Sequence, residues 1–362
     1  MKKHKHDLLA VGGLFVLWRF ALFVFEKIAP MFWPVRDIFL GLITPWANFD
    51  GAHYTSIAKD GYGVFQFAFF PVYPQLIRFV ESVSQLPYEF VAVGISHVAF
   101  FTGLFIFWRY LKGSQGRIWI MVFFLMYPAS FFFAGAYSES VFFAFAAGTL
   151  VSVQKKRWIL AGILAGLASA TRLVGVFLWL PIVLAMWHER RHLKTIDWSA
   201  VFIAPAGLAG YMVYLWKSAG DPLAFFHVQA AFGAGRSGSE LIFLPQVLWR
   251  YAMIFTTVPW VEFVYHVAVL EFLSFVFGII LLVVAWRRRY APGILLYSAC
   301  VLFLPTLTGT LSSMPRYLLA AFPLFAVFGD IRSVWIKTAI LIVFLTLLVY
   351  ATTGFLRGYF IS

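Results

Sequence analysis

Side chains that can do chemistry are concentrated in one polar stretch of an otherwise very hydrophobic chain. This stretch runs from Trp46 to Pro74 and contains the carboxylates Asp50 and Asp60 together with His53. It is the longest segment in the first half of the chain that lacks the composition of a membrane helix. Because ionisable residues beside a membrane are usually functional, we expect chemistry in this stretch.

Later segments contribute a second set of polar side chains. Glu139 begins an apolar run, Arg172 lies between two apolar runs, and Arg316 begins another. An arginine can bind phosphate oxygens through two hydrogen bonds, and a carboxylate can accept the proton of an attacking hydroxyl group. This combination fits glycosyl transfer from a lipid carrier whose phosphate lies near the membrane surface. The remaining candidates for substrate binding are Tyr54, His227, Gln229, Arg236 and Tyr317.

The residues of the first stretch also have structural interpretations. Asp50 could cap a short interfacial helix that starts at Gly51. His53 is three residues further along and faces the same side, so it could bind either the aspartate or the substrate. Asp60 precedes Gly61 and fits a turn.

The later residues likewise leave alternatives open. Glu139 could stabilise the start of its helix through the helix dipole. Arg172 and Arg316 could pair with acids and hold the bundle together instead of binding phosphate. Arg236 lies in a Gly- and Ser-rich loop that could be exposed to solvent or could close over a donor as a lid.

The overall composition identifies the class of protein. Of 362 residues, 62% are hydrophobic and only 12% are charged, which indicates an all-α, polytopic membrane bundle. The net charge of +13 comes from short basic clusters between apolar runs, as in membrane topology signals, so we exclude nucleic acid as a partner. The single cysteine, Cys300, excludes an intramolecular disulfide.

The apolar runs predict about eleven transmembrane helices in a single domain over residues 1–362. Cytoplasmic placement of most lysines and arginines puts the N-terminus inside and the C-terminus outside. Two long outer loops follow from this topology, a catalytic one at about 29–87 with interfacial helices and another at about 217–261. The predicted spans are 8–28, 90–110, 118–133, 139–153, two arms within 158–187, 198–216, 262–286, 292–308, 315–328 and 334–353.

The segment 158–187 allows two topologies. It lies between two basic clusters, so the positive-inside rule favours a hairpin of two short helices, each about 20 Å long, with Thr171 and Arg172 at its tip. The alternative is one long tilted span, which would invert everything that follows.

A series of short motifs extends over most of the chain. They are Phe49-Asp50-Gly51-Ala52-His53-Tyr54, Phe69-Phe70-Pro71, Tyr137-Ser138-Glu139-Ser140, Ala170-Thr171-Arg172, Gly220-Asp221-Pro222 with Gln229, and Pro315-Arg316-Tyr317. In this order they resemble the PIG-V (GPI mannosyltransferase II-like) family of GT-C membrane glycosyltransferases. One departure is Asn48-Phe49, which stands where that family often has Arg-Trp before the aspartate. As a member, the chain would lie in a prokaryotic plasma membrane.

The resemblance implies a short prokaryotic member with a GT-C fold and Asp50 as the catalytic base. It also implies an inverting transfer outside the cytoplasm from polyprenyl- or dolichyl-phosphate-mannose, with membrane lipids around the enzyme and a glycan or glycolipid as acceptor. The rival hypothesis is a transporter or flippase for a polyprenyl-linked or other anionic substrate, in which the arginines line a path. Polar residues along the full depth of the bundle would favour the transporter, whereas their collection at one face favours the enzyme.

We expect no cofactor and no metal. The sequence contains no Asp-x-Asp ligand spacing. Arginines can neutralise the charge of a departing phosphate in place of a divalent ion.

Overall fold

A computed structural model describes residues 2–36 and 43–361, with side chains from His6 onward. Residues 37–42 of the predicted first outer loop lie outside this description, as do the side chains of the predicted cytoplasmic cluster Lys2, Lys3 and Lys5. All regular elements in the described part are helical. The helices are α1 Lys2–Phe32, α2 Asp50–Asp60, α3 Val72–Ser84, α4 Tyr88–Tyr110, α5 Arg117–Met126, α6 Glu139–Gln154, α7 Trp158–Ser169, α8 Trp179–His188, α9 Ser199–Ile203, α10 Ala206–Ala219, α11 Ala224–His227, α12 Leu244–Thr257, α13 Phe263–Arg287, α14 Pro292–Phe303, α15 Met314–Ala320 and α16 Val334–Leu356.

Within the part of the chain that the structure describes, four helices are long and apolar enough to cross a membrane, namely α1, α4, α13 and α16. A fifth span results if α9 and α10, which meet at a bend of 45°, cross together. The bend falls at Pro205, which interrupts the helical hydrogen-bond ladder. The all-helical fold with several spanning-length helices therefore agrees with a helical membrane protein.

The remaining predicted spans correspond to shorter or interrupted helices. In the predicted third span, α5 ends at Met126 because Pro128 disfavours helical geometry at the preceding residue. The tenth begins as the seven-residue α15 and continues as a 3-10 segment, Phe322–Asp330. Four of the predicted runs thus correspond to helices of spanning length, whereas runs interrupted by proline correspond to broken helices.

The predicted hairpin between the two basic clusters is present. The chain breaks after α7 and returns through a 3-10 segment, Leu173–Leu178, and α8. At the base of the hairpin, Lys156 Nζ and Glu189 Oε1 are 2.7 Å apart. Arg172 stands at the opposite end, between the two arms.

The apolar stretch after residue 240 lies in the predicted outer loop at about 217–261 but is helical. It forms one continuous helix, α12, because Pro245 occupies the first helical turn, where no N–H is required. The helix ends before Pro259, and Arg250 lies within it.

The centre of the molecule is an irregular segment, residues 127–138, that leads into α6 and is buried throughout. Its phenylalanines pack against neighbouring helices; Phe133 stacks on Phe100 with ring centroids 4.2 Å apart. Because this segment is immobilised on all sides, the polar side chains at its C-terminal end are held rigidly. Those side chains are Tyr137 and Ser138, with Glu139 directly after them at the start of α6.

Candidate active site

A cavity of about 330 Å³ lies where α2, the hairpin tip, the start of α15 and the end of the chain meet. All but two of the predicted site residues line it. Its chemically relevant wall consists of Asp50, His53, Tyr54, Arg172, Gln229, Arg236, Arg316 and Tyr317. Four distant parts of the chain thus contribute ionic groups to one cavity, through Asp50, Arg172, Arg236 and Arg316.

Two carboxylates and two guanidinium groups form a connected ionic cluster at the cavity. Arg316 donates from Nη1 to Asp50 Oδ2 at 2.7 Å. Its Nη2 and Nε both reach Glu139 Oε1, at 2.7 and 2.8 Å. Arg172 Nη1 pairs with the same Glu139 oxygen. The four groups balance in charge, which makes burial of Glu139 and Arg316 tolerable.

Aromatic rings fix the orientation of Arg316. Its guanidinium carbon lies 4.8 Å from the ring centroid of Phe132 and 4.9 Å from that of Tyr137. A planar guanidinium group stacks on such rings while its edge donates hydrogen bonds. Arg316 is therefore held in one geometry between Asp50 and Glu139.

Asp50 occupies the first position of α2 and has one oxygen unused by the protein. Its Oδ1 makes no hydrogen bond or ion pair within residues 2–36 and 43–361, and the side chain is 21% exposed. The preceding residue, Phe49, has φ 57° and ψ −114°. A bulky side chain with positive φ is strained, and strain of this kind occurs at functional sites.

Several contacts fasten the first turn of α2 to the buried central segment and to α16. Asn48 Nδ2 donates to the carbonyl of Phe355 at 3.0 Å. Tyr137 donates its hydroxyl to the carbonyl of Asn48 at 2.8 Å, and Ala136 N–H donates to the carbonyl of Trp46 at 2.8 Å. Asp50 is therefore placed by rigid neighbours rather than by a free loop.

Tyr54 adds a further connection one helical turn beyond Asp50. Its hydroxyl donates to Ser138 Oγ at 2.8 Å. Burial raises the pKa of Tyr54 well above its ordinary value, so the phenol remains a protonated donor.

Arg236 reaches the cavity from the long loop between α10 and α12. Its Nη2 donates to the hydroxyls of Ser312 and Ser313 at 3.0 and 3.3 Å. In the part of the chain that the structure describes, it forms no ion pair with a carboxylate. Arg236 is thus a cationic group of the cavity that is not neutralised by direct contact.

The loop that carries Arg236 is pinned rather than free. Arg250 donates from Nη1 to the carbonyls of Gly235 and Gly309, at 3.0 and 2.8 Å. Ser237 N–H donates to the carbonyl of Thr308 at 2.8 Å. Of the alternatives that the sequence left open, an exposed loop or a closing lid, neither describes these contacts, which favour a fixed wall of the cavity.

The opposite wall of the cavity is aromatic. His53 stacks on Phe69 with centroids 4.9 Å apart and an interplanar angle of 23°, and Phe232 meets both rings edge-on. Of the two interpretations of His53, the structure supports a place in this wall, since no hydrogen bond joins it to Asp50 within the described residues. Gln229 donates to the carbonyl of Phe225 at 3.1 Å and completes the wall.

Two predicted substrate-binding residues do not line the cavity. Glu139, with a side chain only 3% exposed, lies behind the two arginines. His227 forms a 2.6 Å hydrogen bond with Asp221 on the outside of the loop, which lowers the pKa of Asp221. The reason is helical phase: Phe225 and Gln229 are four residues apart and face the cavity, so His227 points the other way.

Sequence reasoning missed some of the lining residues. Phe232 and Ser313 lie next to motifs that were recognised, so proximity could have suggested them. Phe360 comes from the tail beyond α16, and nothing in its local sequence marks it as part of a site.

Histidine, cysteine and acidic side chains form no group of three or more that could hold a metal ion, as far as residues 2–36 and 43–361 are concerned. The fold and site therefore define a helical membrane protein with a buried ionic cluster beside a cavity. Comparison of the chain with protein-family models, with curated proteins and with solved structures gives no match.

Proposed function

We propose that the protein is a membrane glycosyltransferase of the GT-C type that uses a polyprenyl-phosphate-linked hexose, with mannose as the first candidate. Asp50 is the base in this proposal, and the acceptor is a hydroxyl group of a glycan or glycolipid. The reaction takes place at the extracytoplasmic face and inverts the anomeric configuration. The class, the donor and the sidedness come from the motif resemblance described above.

The observation that carries the proposal is the asymmetric environment of Asp50. One carboxylate oxygen is held by Arg316, while the other has no partner in the described protein and belongs to a cavity-lining side chain. A general base needs such an arrangement, because one oxygen must be oriented and the other must be open to a substrate proton.

Phosphate binding is assigned to Arg172 and Arg236. Arg172 uses only Nη1 for Glu139, so its other nitrogens make no hydrogen bond with the described residues and remain able to donate. Arg236 has no acidic partner in direct contact. From the sequence, phosphate binding was expected of Arg172 and Arg316. Arg236 replaces Arg316 in the proposal, because all three side-chain nitrogens of Arg316 already contact Asp50 or Glu139. Arg316 and Glu139 become positioning residues.

In the proposed reaction, the acceptor hydroxyl loses its proton to Asp50 Oδ1 and its oxygen bonds to the anomeric carbon. The bond between that carbon and the phosphate oxygen breaks, and the polyprenyl phosphate leaves with the bonding electron pair. Arg172 and Arg236 stabilise the charge that develops on the departing phosphate. The aromatic wall with Phe69 and Phe232 provides an apolar face for the substrates.

The proposal is tested by incubating the purified protein with polyprenyl-phosphate-mannose and a host lipid extract. Mass spectrometry should reveal an acceptor heavier by one hexose and the release of polyprenyl phosphate. If labelled polyprenyl-phosphate-mannose is instead moved unchanged across the membrane of proteoliposomes that contain the protein, the transporter hypothesis replaces the enzyme hypothesis.

We also propose that transfer needs no divalent metal, since guanidinium groups supply the charge neutralisation that a metal would provide. Transfer by the purified protein should therefore be the same in buffer and in excess chelator. Loss of activity in chelator that Mg²⁺ or Mn²⁺ restores would refute this part of the proposal.

A further inference from the structure

A buried carboxylate outside the ionic cluster has no role in the proposed reaction. Glu271 lies in α13 and is only 6% exposed, yet it neither lines the cavity nor forms an ion pair among the described residues. A carboxylate at such a position in a membrane helix is costly unless its oxygens are satisfied and its charge is used.

Glu271 accepts a hydrogen bond at one end of a short network. Tyr251 of α12 donates its hydroxyl to Glu271 Oε2 at 2.5 Å. The same hydroxyl accepts the N–H of Leu311 at 3.2 Å and lies 3.4 Å from Thr310 Oγ1. The carboxylate therefore fixes, through Tyr251, the backbone of the turn that precedes α15.

This turn contacts Arg236 directly. Ser312 N–H donates to Thr310 Oγ1 at 3.1 Å, which fixes the serine. Arg236 donates to the hydroxyls of Ser312 and Ser313, so the position of its guanidinium group depends on the position of this turn.

The turn also has a backbone that requires support. Ser313 adopts φ 67° in the left-handed region, where non-glycine residues are strained. On one side of this residue, Ser312 contacts Arg236. On the other side, Arg316 contacts the carboxylates of the ionic cluster. One strained turn thus connects the cluster around Asp50 with Arg236.

We propose that Glu271 is a positioning residue that holds Arg236 in the cavity through Tyr251 and the 310–313 turn. This inference rests on the proposed function, since it gives Arg236 the task of binding the donor phosphate. It predicts that donor affinity depends on a carboxylate that never touches the substrate.

The test is a double-mutant cycle on Glu271 and Arg236, with polyprenyl phosphate as the probe. Glu271→Gln should weaken its binding to the purified protein about tenfold, and Tyr251→Phe, which keeps the charge, should have a similar effect. In the Arg236→Gln background the Glu271→Gln change should cause no further loss, because both act through the same contact. In transfer assays the donor KM should rise about tenfold in Glu271→Gln, while kcat changes little.

Glu262→Gln is the matched control, because Glu262 is an exposed carboxylate at the start of the same helix. The affinity of this variant for polyprenyl phosphate should stay within about twofold of wild type. Hydrogen exchange at residues 310–313 should be faster in both Glu271→Gln and Tyr251→Phe, with or without ligand. If Glu271→Gln does not fold, Tyr251→Phe carries the test.

Wild-type affinity for polyprenyl phosphate in the Glu271→Gln and Tyr251→Phe proteins would overturn the inference. So would a loss of affinity on Glu271→Gln that is the same in the Arg236→Gln background as in the wild-type background. A wild-type protein that fails to bind polyprenyl phosphate would contradict the proposed function instead. In that case the exchange measurement still decides whether Glu271 holds the turn.

Discussion

Arg316 contacts both carboxylates of the site with three different nitrogens. Nη1 reaches Asp50, and Nε and Nη2 reach Glu139, while two rings hold the guanidinium plane. A lysine ammonium is a point donor on a flexible stem and cannot reproduce this fork. The position of Asp50 relative to a bound substrate therefore depends on arginine specifically.

Arg316→Lys should lower kcat about 100-fold, because a displacement of the catalytic base by about 1 Å has effects of this size. Steady-state transfer kinetics with the purified variant measure it. Arg332→Lys, at an exposed position, is the control and should behave as wild type. Unchanged kcat in Arg316→Lys would show that the bridging geometry is irrelevant to the reaction.

Residue types in the sequence predicted the members of the site better than their partners. Four of the predicted charged residues line the cavity, namely Asp50, Arg172, Arg236 and Arg316. In so apolar a chain, a charged side chain is stable only where it meets a partner or a polar cavity. Their pairing depends on tertiary contacts, such as the one between Asp50 and Arg316, that no local pattern encodes. Glu139 was assigned to the substrate but lies behind the arginines, because it directly follows a segment that is buried on all sides.

At the scale of elements, the hairpin of α7 and α8 decides where Arg172 lies. The returning 3-10 segment passes so close to α7 that a Cβ at Gly175 would be 2.4 Å from the carbonyl carbon and oxygen of Ala168. Only glycine allows this approach of two backbones. The basic clusters in the sequence predicted the hairpin, but the closeness of its arms depends on this one residue.

Gly175→Ala should destabilise the protein by about 2 kcal/mol through overpacking, and should weaken donor binding because Arg172 is displaced. Gly210→Ala is the matched control: a Cβ there meets nothing within 4 Å, and alanine favours the helix, so stability should be unchanged or higher. Thermal unfolding in detergent measures both variants. Equal stability of Gly175→Ala and wild type would mean that the hairpin arms are not in contact.

At the scale of the whole molecule, composition predicted the class and uninterrupted apolar runs predicted the long helices. The helices α1, α4, α13 and α16 match predicted spans to within a few residues at most of their ends. Runs containing Pro128, Pro205 or Pro323 were read as simple spans, yet the helices there are short or bent next to these prolines. Hydropathy alone averages over such breaks, so eleven spans remains a prediction.

The proposed orientation can be tested by cysteine labelling in a Cys300→Ala background. Asp60 lies at the end of α2 and Lys155 at the base of the hairpin, and both are exposed. A membrane-impermeant maleimide should label Asp60→Cys on intact cells and Lys155→Cys only after permeabilisation. The reverse pattern would place the cavity on the cytoplasmic side and exclude an extracytoplasmic reaction.

The central claim is that the open oxygen of Asp50 takes a proton from the acceptor, and Asp50→Asn tests it most directly. An amide keeps the size and a hydrogen bond but cannot accept the proton, so sugar transfer from polyprenyl-phosphate-mannose should fall by about 100-fold or more. Donor binding should remain near the wild-type level. Asp60→Asn, at the exposed far end of the same helix, should transfer sugar normally; wild-type transfer by Asp50→Asn would contradict the account.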